Sequence, residues 1–201
     1  KKFQTITGEN ISVEKGLKIK DELETMVNDI NEGKVNRKQL KELCVEFVRT
    51  QNKDKFEGFW PIILDDYMPS DARIDFLYWP TYYITMAMMV GYMMNLNKEI
   101  DGFDDCFKLG LEACTKRSFR GYTYEAGKDK IKVLNMFIQS GLFEFLRENK
   151  ELCPRFNVCI KRIFKEMQER VNQGDTICDL GIDYEEEFKN ILKLKANSKT
   201  N

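Results

Sequence analysis

Between Thr115 and Lys132 the chain gathers Lys116, Arg117, Arg120, Lys128, Lys130 and Lys132 against only Glu125 and Asp129, a local charge of +4 in a protein of net charge −1. Phe119, Tyr122 and Tyr124 stand among these cations, and Gly121 and Gly127 break the run. A guanidinium can fork two parallel hydrogen bonds onto a carboxylate or phosphate. A glycine lets a ligand approach the backbone, and tyrosine rings supply flat surface. The chemistry these residue types offer is anion recognition, with Arg117, Arg120, Tyr122, Tyr124 and Lys128 as candidate ligand-binding residues. Ordinary helix grammar explains part of the charge, since cations suit the end of one helix and Asp129 the start of the next. It does not require the run from Arg120 to Glu125. A plainer account stands beside the functional one: Phe119 and the tyrosines plug the base of a loop while Arg120 pairs with Glu125.

A second group lies in "ILDDYMPSDARID", where Asp65, Asp66, Asp71 and Asp75 crowd together with Arg73. Carboxylates this dense can hold Mg²⁺, which in turn bridges phosphate oxygens. The order Asp65-Asp66, then Asp71, then Arg73 resembles the first aspartate-rich motif of the isoprenyl diphosphate synthases, over about nine residues. The resemblance implies an all-α enzyme in which Asp65, Asp66 and Asp71 hold magnesium against an allylic diphosphate. The family carries its aspartates on one continuous helix, whereas Pro69 and Ser70 here break helical continuity. The nearest counterpart of the family's second motif is "DGFDD", with Asp101, Asp104 and Asp105. These three also suit the start of a helix, where carboxylates meet the positive end of the dipole. The reading preferred for the first cluster is likewise a turn whose aspartates cap helices on either side.

Several chemistries are excluded outright. The chain has no histidine, which removes Ser-His-Asp and Cys-His nucleophiles and every imidazole metal site. Its six cysteines form no C-x-x-C pair, so a structural zinc knuckle is not expected. Cys44 and Cys159 fall on apolar helical stripes and read as reduced, core-filling thiols of an intracellular, cytoplasmic protein. The opening "KKFQTITGENISVEKGLKIK" has no apolar segment of the secretory kind. With Lys plus Arg at 32 and Asp plus Glu at 33, general nucleic-acid binding is not expected.

The elements that must position these groups are helical. Ile19, Leu23, Met26, Val27 and Ile30 recur at spacings of three and four, as do Leu40, Leu43, Cys44, Phe47 and Val48 behind an N-cap at Asn36. The pattern returns at Ile131, Leu134, Phe137, Ile138, Phe145 and Leu146, and again from Phe156 to Val171, with Pro154 expected at the first helical position. A last helix opens at "DYEE", where Asp183 and Glu186 form a capping-box pair. Residues 76–94 carry no charge over nineteen positions, yet Pro80, Gly91, two threonines and six aromatics dilute them. They read as a buried central helix rather than a membrane span, with Pro80 in its first turn and its methionines filling core.

The sequence therefore predicts an all-α protein: one helical domain over 1–201, built as a multi-helix bundle or α/α array around an aromatic, Met-rich helix, with a possible sub-boundary near 52–58. The expected function is an intracellular binding module that takes an anionic small molecule or an acidic peptide at the 116–130 stretch, without a cofactor. The competing class is a Mg²⁺-dependent enzyme acting on a phosphate or diphosphate ester through Asp65, Asp66 and Asp71. A third is a structural or regulatory protein-interaction domain. Magnesium separates the first two. On the capping reading, calorimetric titration with Mg²⁺ gives no saturable heat, alone or with diphosphate. Saturable binding that disappears in Asp65→Asn/Asp66→Asn would establish the enzyme instead.

Overall fold

The computed structural model describes residues 10–54, 57–60, 63–64, 70–116, 141–176 and 179–197, giving only the backbone for 10, 63–64, 70–79, 115–116, 143, 156–157, 159–160 and 191–197. Its helices are α1 (Val13–Asn31), α2 (Arg37–Thr50), α3 (Ser70–Met93), α4 (Phe103–Lys116), α5 (Leu142–Glu148), α6 (Phe156–Asn172) and α7 (Tyr184–Asn197). Two single 3₁₀ turns, Leu96–Lys98 and Lys150–Leu152, join α3 to α4 and α5 to α6. Among the described residues the only sheet is a parallel pair of two-residue strands, β1 (Asn10–Ile11) and β2 (Ile63–Leu64). The protein is all-α. Its chain divides into two compact units, Lys1–Cys114 and Thr115–Asn201.

The first unit is organised by α3. Every residue from Pro80 to Met89 is buried, so this stretch has no solvent face. α1 and α2 both lie against it. They contribute Ile19, Leu23, Met26, Val27 and Ile30, and Leu40, Cys44 and Phe47, the apolar stripes legible in the sequence. The sequence pattern places Pro80 in the first turn of the helix. The helix instead begins at Ser70 and carries Pro80 in its interior. An interior proline removes one backbone hydrogen bond and costs about 3 kcal/mol. Full burial of a large apolar side chain returns roughly 1.5–3 kcal/mol. Tyr82, Tyr83, Ile84, Met86, Met88 and Met89 are all buried, so packing outweighs the lost bond. Met93 and Met94, at the helix end, are exposed.

Helix starts follow local chemistry. Asn36 and Gln39 form a reciprocal capping box, the Gln39 N–H donating to Asn36 Oδ1 at 2.8 Å and the Asn36 N–H to Gln39 Oε1 at 3.0 Å. Ser12 caps α1 by accepting from the Lys15 N–H at 3.3 Å. Asp183 Oδ1 accepts from the N–H groups of Glu185 and Glu186, each at 3.0 Å, and so opens α7. Pro154 differs from expectation. It sits in the turn before α6, whose first residue is Phe156, and its fixed φ serves that turn instead.

The connection after α2 is fastened to the core by side chains. Gln51 is buried and donates from Nε2 to the carbonyls of Gly58, at 3.1 Å, and Cys106, at 2.8 Å. Trp60 is fully buried, donating from Nε1 to the Phe47 carbonyl and from its backbone N–H to Thr81 Oγ1, both at 3.0 Å. Residues 52–58 therefore lie within the first unit.

The second unit has its own core. Leu142, Leu146, Leu152, Cys153, Ile163, Phe164, Met167 and Tyr184 are buried. α5 and α6 both pack on α7. The Phe164 ring lies 5.6 Å from Tyr184 and 6.4 Å from Phe188, edge to face in each case.

One glycine shows how tightly the first unit closes. Gly58 has φ +87°, and a Cβ there would stand 2.7 Å from the Leu109 carbonyl oxygen. Gly33 has φ +72° with open space around it. In denaturant unfolding, Gly33→Ala is expected to cost about 1 kcal/mol, the left-handed penalty alone. Gly58→Ala adds a backbone clash and should cost about 2 kcal/mol more. Equal losses would show that the clash relaxes freely.

Candidate functional site

The anion-binding candidates Arg117, Arg120, Tyr122, Tyr124 and Lys128 lie outside the described residues, as do Asp65 and Asp66. Asp71 is the second residue of α3, within its first turn, and its side chain also lies outside the description. No described helix is long and apolar enough to cross a membrane. Among the described residues no three carboxylates or thiols are grouped to hold a metal ion.

What the structure does define is the helix that leads into the cationic stretch. α4 runs from Phe103 to Lys116 with Asp104 and Asp105 exposed in its first turn. Asp101 precedes it in a turn, also exposed. Phe103, Cys106, Phe107, Leu111 and Ala113 form its buried face. Phe107 meets Tyr92 of α3 with ring centroids 5.7 Å apart. Near the end of α4, Gly110 allows a close approach. A Cβ there would lie 3.1 Å from Thr85 Oγ1 and 3.2 Å from the Trp60 ring. Cys114 follows, with Sγ 3.6 Å from Thr85 Oγ1 and 3.9 Å from the Thr81 carbonyl. The first residues of the candidate stretch thus continue a helix held against the core up to its last turn. On the far side in sequence, α5 begins after Gly141, whose φ is +76°.

Cys44 and Cys106 are not poised as nucleophiles. Burial pushes the Cys44 thiol from 9.0 up to about 12. Burial, and secondarily the nearby Cys44, pushes Cys106 to about 12 as well. Cys106 Sγ sits 3.9 Å from Met88 Sδ and 4.0 Å from the Phe47 carbonyl, inside the core. Thiolates are the reactive form, and these two are held as thiols. The four described cysteines, Cys44, Cys106, Cys114 and Cys153, are free.

Sequence pattern gave no signal for one charged residue. Arg147 in α5 is 4% exposed, one turn after Glu144, whose Oε2 is shut off from solvent. It follows Phe145 and Leu146 directly, and a cation beside an apolar pair reads as the edge of a stripe rather than as core. A buried guanidinium makes the second unit depend on polar contacts as well as apolar ones.

No protein-family model, curated protein or solved structure matches the chain.

The buried thiols set an alkaline limit. Their folded values lie above the unfolded value of 9.0, so above that pH the unfolded state releases protons that the folded state retains. Stability is full below about pH 9 and falls as pH rises toward about 12. Melting temperature followed from pH 8 to 10.5 should decline, and the decline should flatten in Cys44→Ala compared with its own neutral-pH value. An unchanged slope would show that other groups set the limit.

Proposed function

We propose that the protein is an α-helical binding module that recognises an anionic small molecule or an acidic peptide through Arg117, Arg120, Tyr122, Tyr124 and Lys128. The observation that carries this reading is the local charge of +4, interleaved with tyrosines and glycines, in a chain whose net charge is −1. A cation cluster of this kind raises the local concentration of anions, and the guanidinium fork adds orientation. The fold is consistent with such a role. α4, which runs into the stretch, is locked to the core by Gly110 and flanked by Thr85 and Trp60. A fixed helix end lowers the ordering cost of residues that must meet a ligand. Arg120 is the leading residue because a guanidinium beside Gly121 and Tyr122 combines the fork, an approachable backbone and a ring.

Inorganic diphosphate is a suitable first probe. Calorimetry should show saturable binding to the wild type, weakened about ten- to a hundredfold in Arg120→Ala, because a charged hydrogen bond is worth ~1.5–3 kcal/mol. The melting temperature of the variant should stay within a degree or so of the wild type. A sharp fall in melting temperature, with no diphosphate bound by either chain, would make Arg120 a clamp for its own segment and end the binding reading.

A further inference from the structure

The outer face of α6 carries cations along its first half with no carboxylate among them. From Leu152 to Lys165, fourteen residues include Arg155, Lys161, Arg162 and Lys165 and no carboxylate. All four cations are exposed. At 3.6 residues per turn they fall within about 60° on either side of Val158, so they share one face. Val158 itself is 65% exposed at the centre of that face. Its opposite side is the buried stripe of Ile163, Phe164 and Met167.

This arrangement is not what helix stability asks for. Cations suit the C-terminal end of a helix and carboxylates the N-terminal end. In α6 the first turn holds no carboxylate, while the last turn does carry Arg170. Arg155 takes the N-cap position and its side chain makes no capping bond, while Glu166 and Glu169 stand in the later turns. The ion pairs within α6 each join an acid of its later turns to a cation. Glu166 faces Arg170 at 3.9 Å, and Glu169 faces Lys165 at 3.9 Å. α7 adds Asp183, Glu185, Glu186 and Glu187 beside the second half of α6, where the Tyr184 N–H donates to Gln168 Oε1 at 2.9 Å. α1 intersperses both signs, with Lys18 and Lys20 beside Asp21 and Glu22, whereas α2 also opens on cations, of which Arg37 and Lys41 are paired to Glu99.

We infer that the N-terminal half of the outer face of α6 is a docking surface for an acidic, extended segment of a partner protein. Charge complementarity and length both select this occupant. Arg155 and Lys165 are ten residues apart, so the cationic strip is ~15 Å long at 1.5 Å per residue. An extended peptide covers that span with about five residues at ~3.3 Å each. The exposed Val158 calls for one apolar residue in the middle of such a segment. Nucleic acid is the poorer match, because none of the strip's described side chains is an aromatic ring that could stack on a base. A lipid surface is poorer too, because a single valine replaces the broad apolar face of an interfacial helix.

The surface shares no residue with the 116–130 stretch, and the test separates them. The probe is a fluorescein-labelled Glu-Glu-Leu-Glu-Glu peptide, titrated by anisotropy against the full chain at low salt. Its binding should be saturable, weaken with added salt, and persist in Arg120→Ala. In Lys161→Glu/Lys165→Glu it should weaken at least tenfold with an unchanged circular dichroism spectrum. Should that pair fail to fold, Lys161→Gln/Lys165→Gln decides the matter, with a loss of at least threefold expected. Absence of binding, or binding indifferent to these substitutions, would overturn the inference. So would tighter capture of an oligothymidylate or of phosphatidylserine vesicles through the same lysines.

Discussion

A helix with no outward side dictates the first unit. From Pro80 to Met89 every side chain of α3 is buried, which forces neighbours onto its whole circumference. That requirement accounts for features that look unrelated along the chain. α1 and α2 present narrow apolar stripes because each covers one sector of α3. Gly110 is a glycine because α4 must come within van der Waals range of Thr85 and Trp60. The interior proline is tolerated because the stretch around it is already surrounded by packed side chains.

A fully buried helix also imposes polar obligations. Thr81 and Thr85 are completely buried, and each hydroxyl is used: Thr81 Oγ1 accepts from the Trp60 N–H, and Thr85 Oγ1 meets Cys114 Sγ. Gln51 uses its buried amide in the same way, donating to the carbonyls of Gly58 and Cys106 and so joining α2, the following turn and α4. At the surface, Arg37 bonds Glu99 and reaches the Met94 carbonyl at 3.3 Å, tying the start of α2 to the end of α3. The Glu99 carboxyl is held below its ordinary value by the hydrogen bond from Arg37. These contacts place polar groups where the apolar packing leaves gaps.

The second unit follows a different plan. Among the described residues its core leans on aromatic contacts around Phe164, and it buries the charged Arg147. Its surface separates charge instead of mixing it, with cations over the first half of α6 and carboxylates over the second half and the start of α7. The cationic stretch that closes on Lys132 belongs to the same unit. Both proposed recognition surfaces therefore lie in the unit where electrostatics departs most from what folding alone would select.

Much of this was legible in the residues. The all-α class, the stripes of α1 and α2, the Asn36 cap and the burial of Pro80 to Met89 within the uncharged stretch follow from periodicity and capping chemistry, which act within one or two turns. Local rules also picked out the cations of 115–132 as a group, because charge density is a property of sequence. They failed where the outcome was a competition between distant parts. Whether Pro80 ends a helix or is carried inside it depends on how much packing its neighbours gain, and those partners come from α1, α2 and α4. The burial of Arg147 and the division of the chain near Cys114 are likewise set by contacts between segments far apart in sequence. The asymmetry of α6 sits between the two cases. Its charges were always readable, but only the fold puts Ile163, Phe164 and Met167 inward. Once they are, the four cations must share the face that is left.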